Sequence, residues 1–145
     1  MVPVNYWAIL VCGVASMILG FLWYGPLFGK MWMGYMGIDP SEMEKMRNDP
    51  AAKRAMYRSY LLAFIGALLM AFVLAHALIF AASYMNVSGV SAGLQAAFWN
   101  WLGFIAPVTL GGVLWERKPW GWWILMNAYY LVQLIIMGLI LALWV

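Results

Sequence analysis

Charge is what this sequence has least of. Only 9% of its 145 residues are Asp, Glu, Lys or Arg, against about 25% in a soluble domain. The five acidic side chains, Asp39, Glu42, Glu44, Asp49 and Glu116, all fall outside the long apolar runs. Proton-coupled membrane transport generally uses a carboxylate at depth, and enzymatic chemistry needs paired carboxylates, a nucleophile beside a base, or a cluster of metal ligands. No such pattern stands in the chain, so no enzyme activity, cofactor or metal is expected. Cysteine is nearly absent: Cys12 alone permits no internal disulfide. Histidine is limited to His76, which would need a second His, Cys or carboxylate at depth to make a haem, metal or proton-relay site. The eight Lys and Arg sit in two short clusters rather than along a groove, which argues against a nucleic-acid partner despite a net charge of +3.

Apolar residues fill the space that charge leaves. They make up 67% of the chain, with 10 Trp and 8 Tyr, the residues that gather at membrane interfaces. The expected class is all-α: a polytopic membrane protein with four transmembrane helices in one compact bundle, spanning about 5–24, 57–84, 94–115 and 120–144. The run from Asn5 to Tyr24 is about 20 residues, enough to cross a hydrocarbon core of about 30 Å. It lacks a basic n-region and a small-residue cleavage site, so it reads as a retained helix rather than a signal peptide. Its end is an exit motif in which Trp23 and Tyr24 sit at the interface, Pro26 ends the span, and Lys30 and Trp32 mark the wet side.

The segment 27–56 is expected to be cytoplasmic, with an interfacial stretch to Gly37 and a short helix near 40–47. Asp39 reads as its N-cap, Pro40 as its first residue and Glu42 as the capping-box partner. Asp49-Pro50 repeats the signal, and from there no breaker appears until about Tyr84. Met31, Met33 and Met36 have no Cys or His beside them, so they read as flexible interfacial filling rather than a soft-metal site. Lys30, Lys45, Arg47, Lys53, Arg54 and Arg58 lie in the first connection, and Arg117 and Lys118 in the third. Both connections are therefore expected in the cytoplasm, with both termini outside.

Small residues recur at four-residue spacing. Ala8, Cys12, Ser16 and Gly20 form one ridge, Ala63, Ala67, Ala71 and Ala75 a second, and Gly103, Pro107 and Gly111 a third, each a surface on which another helix can approach closely. Pro107 should kink its helix by crowding the Gly103 carbonyl. Polar groups at depth are few: His76, Asn127 and Gln133 form a candidate intramembrane cluster, either hydrogen-bonding helices together or lining a cavity. Gln95, Trp99, Asn100 and Trp101 sit near the outer entrance of the third helix. A faint echo links Gly20-Phe-Leu-Trp23 with Pro26 to Gly112-Val-Leu-Trp115 with Pro119, and Asn5-Tyr6 to Asn100-Trp101. It is readable as a duplicated hairpin or as interfacial chemistry arising twice.

Asn5-Tyr-Trp-Ala-Ile, the stretch Gly20-Phe-Leu-Trp23-Tyr24-Gly-Pro26-Leu-Phe28-Gly-Lys30-Met-Trp32, and Asn127-Ala-Tyr-Tyr130 with Met137-Gly138 resemble a family of small bacterial four-helix membrane proteins classed as a domain of unknown function. The likeness runs over essentially the whole chain. It implies a four-helix fold in a bacterial inner membrane and carries no site residues across. The function expected is a structural or accessory bundle that self-associates or docks on another membrane protein. The alternative is a small uncoupled transporter or binder of a lipid or apolar solute.

Overall fold

The computed structural model describes residues 4–144 and shows four apolar helical spans, Tyr6–Leu27, Pro50–Met85, Gly89–Leu114 and Trp120–Leu143. Helix α1, Tyr6–Leu22, starts where the Asn5 side chain accepts the backbone N–H groups of Trp7 and Ala8. It ends in a π turn, Trp23–Leu27, that contains Pro26. The wider turn lets Phe28 N–H reach the Trp23 carbonyl at 2.9 Å and accommodates a residue with no donor of its own. Helix α2, Gly29–Met36, then folds along the end of the bundle and stops at Gly37, whose φ of 66° is left-handed.

Helices α3, Pro40–Asn48, and α4, Pro50–Met85, are each capped by the aspartate before their proline. Asp39 accepts Ser41 N–H at 2.8 Å, and this bond with the Ser41 hydroxyl holds its carboxyl below the usual range. Asp49 accepts Ala51 and Ala52. At 36 residues α4 is about 54 Å long, more than a bilayer needs, so its charged first turns project beyond the hydrocarbon.

The connection to the third span is tighter than the sequence suggests. Helix α5 begins at Gly89, leaving only Asn86–Ser88 as the turn, with Asn86 in the left-handed region that asparagine tolerates. The third span is not one regular helix. After α5, Gly89–Asn100, comes a second π turn, Trp101–Ile105, then short α6, Ala106–Thr109, and α7, Gly111–Leu114. Pro107 lies two residues past that π turn, and the crowded Gly103 carbonyl lies inside it. Helix α8, Trp120–Leu143, closes the bundle and touches α1, α4 and α5.

The core is built from small residues. Ala8, Cys12, Ala71 and Ala97 are wholly buried, with Ala67, Ala75, Ala92 and Ala96 nearly so, around Leu74, Leu134, Met137 and Leu141. Among the described residues three of the four in the first ridge, Ala8, Cys12 and Ser16, are buried and Gly20 is half-buried with its Cα facing the Tyr129 hydroxyl. The second ridge holds for Ala67, Ala71 and Ala75, but Ala63 is exposed, because by that turn α4 is leaving the other helices.

The third ridge does not pack within the bundle. Gly103 and Pro107 are exposed and Gly111 is half-buried, and nothing lies within 4 Å of a Cβ built on Gly103. A π turn adds one residue to the helical cycle and rotates everything after it, so four-residue spacing no longer tracks one face. The inward face is carried instead by Ala92, Gly93, Ala96, Ala97, Ala106 and Gly112. The echo between the hairpins also differs in role: Asn5 caps a helix, whereas Asn100 sits inside one, donating to the Ala96 carbonyl.

Candidate functional site

The third span is tied to α8 rather than to α4. Gly93 and Gly138 meet backbone to backbone, so that a Cβ on either would strike the other's carbonyl oxygen. Farther along, three side-chain hydrogen bonds tie the irregular stretch to α8. Trp101 Nε1 donates to the Asn127 carbonyl at 2.9 Å, Trp123 Nε1 to the Ala106 carbonyl at 3.3 Å, and Asn127 Nδ2 to Thr109 Oγ1 at 2.9 Å. A helix broken by a π turn and a proline frees carbonyls that hydrocarbon cannot satisfy; the Trp123 indole supplies a donor to one carbonyl of this stretch, and the other two bonds tie its side chains to α8.

Helix α4 is held by α1 on its other side, so the two pairs diverge. Between them a lateral groove of about 420 Å³ opens, within the size range of small-molecule pockets. Leu74 and Leu134, both nearly fully buried, form its floor. Leu69, Val73 and Phe104 stand at its lips, each more than half exposed. Toward the α4–α5 turn lies a second, separate cavity of about 120 Å³, walled by Ala77 and Ala81 on one side and by Gln95, Ala96 and Trp99 on the other. Asn100 borders both cavities. Leu69 of the groove and Ala81 of the second cavity stand about 18 Å apart along α4, slightly more than half the thickness of the hydrocarbon core.

The three polar residues singled out from the sequence are not brought together. His76 is half-buried on α4, one turn from Val73. Its Nδ1 lies 2.8 Å from the Phe72 carbonyl and its ring 4.4 Å from the Phe72 ring. A carbonyl can only accept, so Nδ1 is the donor in this bond. Asn127 is buried against the third span, and Gln133 is buried one turn from both Tyr129 and Met137, residues that meet α1. Among the described residues Asn127 Oδ1, Gln133 Oε1 and Trp23 Nε1 are buried without partners. Among the described residues no three His, Cys, Asp or Glu side chains gather as metal ligands.

The exit motif forms an aromatic cluster rather than separate anchors. Trp23 and Tyr24 pack on Tyr129 at 6.0 and 5.1 Å between ring centroids, and Trp32 packs on Tyr24 at 5.8 Å. Pro26 and Lys30 point outward and are exposed. Tyr35 of α2 lies on Gly121, and Lys118 Nζ reaches Met36 Sδ at 3.7 Å, so the segment after the first span is docked on the start of α8.

Sequence reasoning passed over Thr109, Gly93 and the groove-lining role of Asn100. Gly93-x3-Ala97 and Gly138-x3-Ala142 were the available signal for the Gly93 contact, since both are pairs of small residues spaced by four. The model of the family described as "Protein of unknown function (DUF1761)" matches residues 7–142. Neither a curated protein nor a solved structure matches the chain.

Proposed function

The chain belongs to the DUF1761 family of unknown function, and from that premise we propose that it is a membrane-embedded binder of an apolar chain, without chemistry of its own. The observation that carries this reading is the lateral groove between α4 and the third span. It opens sideways at hydrocarbon depth, its floor and lips are aliphatic or aromatic, and no Asp, Glu, Lys or Arg occurs from residue 59 to 115. In such a place an apolar chain is the natural occupant, and specificity comes from shape and from the few polar groups at the edge. Clustered lysines and arginines at the far end support a cytoplasmic placement of that end, with both termini on the other side. The sequence resemblance supports a bacterial inner membrane.

Val73→Trp tests the reading, because an indole at the lip fills the groove while leaving the buried seams untouched. Retention of co-purifying lipid, measured by native mass spectrometry after extraction with native lipids, should fall about tenfold. Unchanged retention with an intact fold would sink the proposal.

A second reading, self-association, is favoured by the outward Gly103 and Pro107 face, which has no neighbour near Gly103. With Cys12 buried, a Gly103→Cys variant carries one accessible thiol. If copies meet on this face, oxidation in membranes yields a disulfide dimer, whereas a Leu62→Cys control on exposed α4 does not.

A further inference from the structure

The groove and the second cavity that shares Asn100 with it differ chemically, and this says more about an occupant reaching across both than their volumes do. Toward Leu69 and Phe104 the walls are wholly apolar. Toward the α4–α5 turn they carry two neutral amides. Asn100 spends one N–H on the Ala96 carbonyl at 2.8 Å, and Gln95 spends one on Ser91 Oγ at 3.2 Å. Each keeps a second N–H and a side-chain carbonyl, and both side chains are half-buried at the cavity wall. Gln95 lies six residues and Asn100 eleven residues inside the start of α5, about 9 and 16 Å along the axis. Asn100 is thus well below the plane of the headgroups.

No Lys or Arg side chain lies at this end to neutralise a phosphate. All eight Lys and Arg lie in residues 30–58 and 117–118, at the opposite end of the bundle. A phosphodiester drawn down to Asn100 would lose its hydration with no lysine or arginine in reach, which is costly in hydrocarbon. A hydroxyl or ester carbonyl loses far less and regains a hydrogen bond from each amide.

Resting on the reading that the groove holds an apolar chain, we infer that it selects an uncharged lipid of the diacylglycerol type. The hydroxyl and ester groups of that lipid bond to Asn100 and Gln95, and one of its chains runs along α4 toward Leu69. It would enter from the leaflet opposite the cationic end.

The test uses the full chain in nanodiscs carrying either of two probes at equal mole fraction: a diacylglycerol with a diazirine in one acyl chain, or phosphatidylglycerol with the same labelled chain. Diacylglycerol should label residues 69–74 and 100–105 about tenfold more than phosphatidylglycerol does. Asn100→Leu and Gln95→Leu should each lower the diacylglycerol signal about fivefold and leave the phosphatidylglycerol signal unchanged. Two variants guard against one that fails to fold. Equal labelling by both probes, or amide variants without effect, overturns the inference. Val73→Trp separates the two levels. If it removes labelling by both probes while the amides prove silent, the groove stands and only the headgroup assignment falls. If it changes neither, both fall.

Discussion

Replacing Gly93 or Gly138 with leucine should cost the bundle about 3 kcal/mol, the upper end of ordinary overpacking, because the obstacle is backbone. A Cβ on Gly93 lands 2.8 Å from the Gly138 carbonyl carbon and 2.9 Å from Ala142 Cβ, and closer still to the carbonyl oxygen. One on Gly138 lands 3.0 Å from the Gly93 carbonyl carbon. Neither helix can retreat without losing the seam that also positions the Trp101 and Trp123 indole bonds. Even alanine should be harmful here. Gly13 is the control: its added Cβ would meet Leu68 Cδ2 at 2.7 Å and Phe64 Cε2 at 2.9 Å, and both are ends of side chains that can turn aside. Gly93→Ala should therefore lower the thermal midpoint in detergent clearly, as read by tryptophan fluorescence, and Gly13→Ala only slightly. Equal shifts for the two would refute the backbone-contact argument.

Ala71→Leu should be nearly as disruptive, by about 2 kcal/mol. Ala71 is wholly buried, in the core cluster that includes Ala8 and Cys12 of α1 and Met137 of α8. Three extra carbons at such a point must push whole helices apart, since interiors at this density hold no spare volume. Ala63→Leu, two turns earlier in the same sequence stripe, adds the same atoms to an exposed position and should be neutral. Parallel thermal melts of the two variants decide the matter. A loss from Ala63→Leu as large as that from Ala71→Leu would mean that another surface covers the first turn of the stripe.

These pairs also mark where sequence reading succeeds. Composition and run length were enough for the class and the four spans, because no soluble fold tolerates so little charge and hydrocarbon admits few backbone arrangements. Asp39-Pro40 and Asp49-Pro50 were readable as helix starts because capping is local chemistry. The buried part of the first two ridges was legible for a related reason: α1 and α4 are regular where they meet, so spacing in sequence is spacing on a face.

The third span escaped that logic. Pro107 signalled a distortion, but one dihedral cycle more or less is invisible in a sequence, and the π turn at Trp101–Ile105 turned Gly103 and Pro107 outward. Likewise His76, Asn127 and Gln133 could each be placed at depth but not aimed, since a helix has many faces and only its neighbours decide which one is inside.

By itself the sequence determined the solvent of this protein, the number of its spans, the helix caps of its first connecting segment and the end at which its charge collects. These follow from local composition and periodicity. Tertiary structure alone decided that α8 holds the third span by a glycine contact and three side-chain bonds, that α4 parts from it, and that a groove opens in the gap. A gap is a relation between elements held by different partners, and no single stretch of chain encodes it.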